Sequence, residues 1–216
     1  MKEIVKTSRL AGQLEKLFRM LNADWFNNEL ETPVITIQST PRAYGHYTTY
    51  NAWIAKGEGR REINIGAGTL DRPIEEIIAT LMHEMCHMYN DTILNIQDCS
   101  GSSHMYHNKH FAAAATAHGL TVSCTRYGHS HTEASNALLE WILDNDIQEI
   151  KLNRNEPHGI RIAGGNAAAN GGTATTGTIS KSHSIRYKCP MCGQLARTTK
   201  KANLICGDCM TLMLES

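Results

Sequence analysis

From Ala163 to Ser184 the chain is dominated by Gly, Ala, Asn, Thr and Ser. A run with so few apolar side chains buries too little surface to offset the entropy of ordering its backbone. Whatever folds must fold on either side of it. We read residues 1–152 as one domain, 153–184 as a flexible linker and 185–216 as a second, smaller unit. The first is long enough for a full hydrophobic core. The second, at about 30 residues, needs a metal or another staple to hold together.

Its cysteines supply the staple. Cys189-Pro-Met-Cys192 and Cys206-Gly-Asp-Cys209 are two C-x-x-C pairs separated by Gly193–Ile205, which is zinc-ribbon spacing. Four thiolates close a tetrahedral shell with no open position, so Cys189, Cys192, Cys206 and Cys209 are expected to hold a structural Zn²⁺. Gly193 and Gly207 suit the tight turns that aim backbone amides at the sulfurs. A redox role fits poorly, because neither pair follows a βαβ pattern. Adding Cys86, Cys99 and Cys124 gives an odd total of 7, which argues for reduced thiols and metal binding over a disulfide framework. Met1–Leu14 contains no apolar h-region followed by a small-residue cleavage site. No stretch approaches the ~20 apolar residues of a membrane span. The expectation is a cytoplasmic protein with no membrane partner.

Within the first domain, Leu10, Leu14, Leu17, Phe18, Leu21, Trp25 and Phe26 recur at three- and four-residue steps. This predicts an amphipathic helix over Ser8–Leu30, with Ser8 as N-cap. Val34–Ile37, Tyr44–Tyr50 and Ala52–Ala55 read as strands, Gly57–Gly59 as a turn, and Glu62–Ile65 as a half-buried strand. A second helix is expected from about Asp71, an N-cap candidate, to Tyr89 or Asn90, with Glu75 and Glu76 at the positive end of its dipole. A third spans Asn108–His118 and ends at Gly119, and a fourth covers Glu133–Leu143.

The second helix carries the chemistry. His83-Glu84-Met85-Cys86-His87 fits H-E-x-x-H, and residues four apart share a helix face, so both imidazoles can reach one Zn²⁺ while Glu84 lies beside them. Glu84 is then placed to take a proton from a metal-activated water. Such a site needs a third protein ligand, and His104, His107, His110 and His118 all follow. His107 is favoured, since Phe111 one turn on can anchor its helix in the core. His104 is the alternative, and His110 and His118 read as ordinary helix residues.

Ala67-Gly68-Thr69-Leu70, the H-E-M-x-H core, His107-Asn108-Lys109-His110-Phe111 as H-x-x-x-F, and the paired C-x-x-C motifs together resemble the SprT-like family. Its best-known eukaryotic relative, Spartan, is a DNA-dependent protease that removes proteins crosslinked to DNA. The resemblance runs from about Leu10 to the end, linker excepted. It implies an α+β, zincin-like metalloprotease domain with helices on a small antiparallel sheet, followed by the linker and the ribbon. By this resemblance His83, His87 and His107 bind the catalytic zinc, Glu84 is the catalytic base, and the substrate is a protein or peptide. The loop from His87 to His107 is longer than in Spartan-type sequences and contains His104. Tyr44-Gly45-His46-Tyr47 falls where the family places strands beside the substrate cleft, and one of Tyr44, His46 or Tyr47 is a candidate for oxyanion stabilisation.

Charge adds a second partner class. The whole chain is neutral, yet from Lys151 onward there are 9 basic and 3 acidic residues. Lys181, Arg186, Lys188, Arg197, Lys200 and Lys201 surround the ribbon, where they could contact DNA phosphates. A non-catalytic, zinc-containing DNA- or protein-binding regulator is the alternative to an enzyme.

Overall fold

The computed structural model describes residues 7–40, 43–101, 105–150, 152–154, 185–198 and 201–215. The expected linker from residue 155 to 184 lies outside the described residues, as do His104, Lys181 and Lys200.

Helix α1 (Thr7–Trp25) lays Leu10, Leu14, Leu17, Phe18 and Leu21 on the core, the stripe that their spacing requires. It ends at Trp25, short of the expected Leu30, because Asn27 and Asn28 adopt left-handed φ values of 53° and 59°, a conformation that asparagine tolerates better than most residues. The buried Asn22 side chain secures this turn. Its Nδ2 donates to Leu30 O at 2.9 Å and its Oδ1 accepts from Leu30 N at 3.2 Å, so Phe26 and Leu30 fold back into the core. Ser8 lies inside the first turn of the helix and does not precede it.

Strands β1 (Val34–Gln38), β2 (Gly45–Tyr47), β3 (Trp53–Ala55), β4 (Glu58–Arg60) and β5 (Glu62–Gly66) follow. β5 is central, parallel to β1 and antiparallel to β2, so this sheet is mixed. The sequence pattern suggested a half-buried strand here, yet β5 is buried at every position. Its polar residues tolerate burial because they are paired: Thr36 Oγ1 donates to Glu62 Oε1 at 2.8 Å, Trp53 Nε1 also donates to Glu62, and Gln38 N donates to Asn64 Oδ1 at 2.8 Å. β3 and β4 form a hairpin turning at Lys56 and Gly57, which puts Glu58 and Gly59 of the expected turn into β4.

Helix α2 (Ile74–Thr92) is the structural axis. Ile74, Ile77, Ile78, Leu81, Met82 and Met85 are fully buried, packed on β2 and β5 to one side and on later elements to the other. Asp71 does not cap it. Pro73 occupies the N-cap position with no side-chain cap, and Glu149, far along the chain, accepts the Ile74 N–H at 3.1 Å. Glu75 and Glu76 occupy the first turn, as expected.

β6 (Cys99–Ser100), β7 (Tyr106–His107), α3 (Lys109–Ala117), β8 (Leu120–Thr125), β9 (Gly128–Ala134) and α4 (Asn136–Asp144) come next. The four strands form a second sheet, ordered β6-β7-β9-β8. Asn108 caps α3 by accepting the His110 N–H at 2.7 Å, and Gly119 follows at φ 82°. The β8–β9 hairpin went unread in the sequence, and Glu133 and Ala134, expected in the fourth helix, belong to β9. Ser135 caps α4 instead, accepting from Leu138 N.

β10 (Ile185–Lys188), β11 (Leu195–Thr198) and β12 (Leu214–Glu215) form a three-stranded sheet over Tyr187, Cys189, Cys206 and Met213. The protein is α+β. Among the described residues no helix is long and apolar enough to cross a membrane.

Replacing Asn22 by Ala leaves the Leu30 backbone groups without partners in a buried turn. The expected cost is about 1–3 kcal/mol, read as a lowered urea midpoint with metal content unchanged.

Candidate metal centre

His83 and His87 project from one face of α2, and β7 carries His107 up to them. The three Nε2 atoms converge: His83 to His107 is 3.1 Å, His87 to His107 is 3.1 Å and His83 to His87 is 3.2 Å. A tetrahedral Zn²⁺ with Zn–N bonds of about 2.0–2.1 Å sets its nitrogens about 3.3–3.4 Å apart. The Phe111 ring packs against all three imidazoles, with centroids 4.5, 4.5 and 4.7 Å away. This bears out the anchoring expected of it.

Each ring is held through its other nitrogen. His83 Nδ1 lies 3.0 Å from Thr132 Oγ1, His87 Nδ1 lies 2.8 Å from Asp98 Oδ2, and His107 Nδ1 lies 3.0 Å from Met105 O. A carbonyl or carboxylate oxygen can only accept, so Nδ1 of His87 and of His107 carries the proton. With both rings neutral, their Nε2 atoms are bare lone pairs facing each other at 3.1 Å. Such an arrangement is repulsive without a cation, and the donor set fits Zn²⁺. Burial, then the neighbouring imidazoles, holds His83 well below the usual histidine range, and burial pushes His107 down to about 4. Both imidazoles are neutral at physiological pH. Burial also disfavours charge on His87, but the Asp98 hydrogen bond and charge outweigh it and raise the group overall.

His107 is delivered by the second sheet. Its N–H donates to Tyr127 O at 2.9 Å, and it bridges Gly128 across a parallel step. Gly128 has φ 70°, and a Cβ there would lie 2.1 Å from His107 O. Only glycine permits this approach.

Glu84 lines the same cleft, about 1590 Å³ in volume, as the three histidines. It accepts a hydrogen bond from the Tyr47 backbone N–H, and burial raises its carboxyl to about 7. A Cβ on Gly45 would sit 2.8 Å from Asn64 O and 3.2 Å from Glu84 Oε1, so this glycine lets the carboxylate seat against β2. The candidate oxyanion residues are differently engaged. Tyr47 OH donates to Asp91 at 2.6 Å, the Tyr44 ring stacks on Arg72 at 3.8 Å, and His46 lies 3.8 Å from Glu62. His110 is exposed, and His118 stacks on Phe26 at 4.1 Å.

The four ribbon cysteines form a separate cluster with sulfurs within 4.8 Å of one another, and Cys192 and Cys206 are 3.6 Å apart. Zn–S bonds of about 2.3 Å would set sulfurs about 3.8 Å apart. The Cys192 backbone amide, then that of Met191, draws the Cys189 thiol down to about 7. Arg197, expected to meet phosphate, turns inward instead, with Nη1 2.5 Å from Glu75 Oε2.

The SprT-like family model matches residues 14–133, more than half of the chain. The chain belongs to the SprT-like family. No curated protein and no solved structure matches it. The SprT-like match contains the three histidines and Glu84, and the four-cysteine cluster lies beyond it. Membership is compatible with a metalloprotease-like role. Sequence reasoning missed Thr132, Asp98 and the Met105 carbonyl, since ring-nitrogen partners drawn from strand and loop leave no spacing signal.

The Glu84 shift gives a pH signature in the metal-free protein. A carboxyl raised from 4.5 to about 7 in the fold destabilises it once ionised. The penalty is absent below about pH 4.5, grows through the interval and is full above about pH 7. Metal-free Glu84→Gln should therefore be more stable than metal-free wild type at pH 8, by roughly 2–3 kcal/mol, with the gap closing at pH 4.5. Thermal melts at both pH values check this.

Proposed function

We propose that the protein is a zinc-dependent endopeptidase, with His83, His87 and His107 as ligands of the catalytic zinc and Glu84 as general base. The supporting observation is the convergence of three Nε2 atoms within 3.1–3.2 Å in an open cleft lined also by a buried carboxyl. A Zn²⁺ held there supplies the Lewis acidity that makes a water ionise near neutral pH. Glu84 takes the proton of the attacking water as the new C–O bond forms at the substrate carbonyl. It returns that proton to the amide nitrogen as the C–N bond breaks. A carboxyl beside the attacking water is placed for both directions of transfer. The Tyr47 N–H and the missing Cβ at Gly45 keep it in place.

The substrate in this reading is an extended polypeptide. Among the described residues β2 pairs with β5 alone, and Gly45 to Tyr47 of β2 line the cleft with the preceding Tyr44, so a peptide can add there as a further strand. Residues 185–216 form a zinc ribbon in which Cys189, Cys192, Cys206 and Cys209 hold a structural zinc, joined through the 153–184 linker to the SprT-like domain. The excess of basic residues after Lys151 supports delivery of the enzyme to DNA-associated or DNA-crosslinked proteins. Arg186, Lys188 and Lys201 are the described ribbon cations available for phosphate once Arg197 is committed to Glu75; Lys201 also lies 3.5 Å from Glu215. An odd number of cysteines, four of them in C-x-x-C pairs suited to metal binding, supports a cytoplasmic setting.

The test is cleavage of casein and of a DNA-bound protein by the zinc-loaded chain, with and without single-stranded DNA. Wild type is expected to cut and Glu84→Gln to lose at least ~10²-fold in rate while keeping its metal. Fully loaded wild type that cuts neither substrate would instead favour the non-catalytic regulator.

A further inference from the structure

Asp98 comes from the loop between the two-histidine helix and His107, and its contacts join the two. Its Oδ2 accepts from His87 Nδ1 at 2.8 Å and from Asn90 Nδ2 at 2.9 Å, so two α2 side chains one turn apart grip one carboxylate oxygen. Its backbone carbonyl accepts the N–H of Asn108, next to His107, at 2.9 Å. Asn108 Nδ2 donates to Gln97 O at 2.9 Å, and the Cys99–His107 pair continues the contact as a β-bridge. Asp98 is only 9% exposed and Asn90 is 0% exposed.

We propose that Asp98 is a positioning residue for the metal centre, acting on two ligands at once. Its carboxylate fixes the His87 tautomer with Nε2 bare and turned to the metal. Its backbone draws the strand that carries His107 against α2. A ring nitrogen tied to a carboxylate is also a more basic ligand through its other nitrogen, and losing such a partner typically weakens metal affinity ~10–100-fold. The thiol of Cys99 and the side chain of Asn90 meet the same carboxylate, but among these three it is Asp98 that is hydrogen-bonded to a ring nitrogen of a converging histidine. Asp98 is therefore the link between loop and metal ligands.

The inference rests on the histidine centre holding a metal and not on proteolysis, so its readout is metal affinity. Full-length wild type, Asp98→Asn and Asp98→Ala are titrated with Co²⁺ after the four-cysteine site has been filled, following the visible absorption of the histidine site and competing with a chelator at fixed pH. Asp98→Asn keeps the shape and can still accept from His87, so about a tenfold loss of affinity with an altered spectrum is expected, and up to ~100-fold for Asp98→Ala. The four-cysteine site should be unmoved in both. A purely structural Asp98 would lower the melting temperature of the metal-free protein and leave affinity and spectrum alone. If Asp98→Ala does not fold, Asp98→Asn decides: affinity within twofold of wild type, with an unchanged spectrum, overturns the proposal.

Discussion

Three imidazole Nε2 atoms turned toward one point, 3.1–3.2 Å apart, form a donor set that a cation between them would satisfy. The fold is arranged to hold them there. α2 contributes two through its helical repeat. The third arrives on a two-residue strand whose position depends on Gly128 and on the Tyr127 carbonyl. Phe111 fills the space behind all three rings, and each Nδ1 meets a different partner, so rotation of any ring costs a hydrogen bond or a packing contact. Preorganisation of this kind lets a site bind metal without first reorganising.

The burial of α2 is what makes this arrangement rigid. Its apolar residues are covered on both flanks, and the side bearing His83, Glu84 and His87 opens to the cleft. The same burial sets the electrostatics: it keeps His83 and His107 neutral and raises Glu84, while Asp98 offsets it at His87. One packing arrangement thus leaves two imidazoles neutral and raises the carboxyl beside them.

Much of this was legible in the sequence where the signal is local. The four-residue spacing of His83 and His87 puts them on one face of any helix, the C-x-x-C pairs predict a sulfur cluster, and Asn108 and Gly119 mark the ends of α3. Non-local features escaped. α2 starts at Ile74 and not at Asp71, because Glu149, 75 residues away in sequence, supplies the cap. β5 reads as half-buried because Glu62 and Asn64 are polar, and only their pairing with Thr36, Trp53 and Gln38 reverses that. β8 and β9 carry few apolar residues, so their alternation is faint, yet Thr132 on β9 steadies His83. Asp98 lies in the His87–His107 loop, where no motif spacing marks it.

The central claim is that His83, His87 and His107 hold one metal ion independently of the ribbon. Zinc content per chain in wild type, His107→Ala and Cys206→Ser tests it most directly. The account predicts two zinc ions in wild type and one in each variant, with the zinc left in His107→Ala bound by sulfur and that left in Cys206→Ser bound by nitrogen, as X-ray absorption distinguishes. Two zinc ions retained at full occupancy in His107→Ala would contradict it.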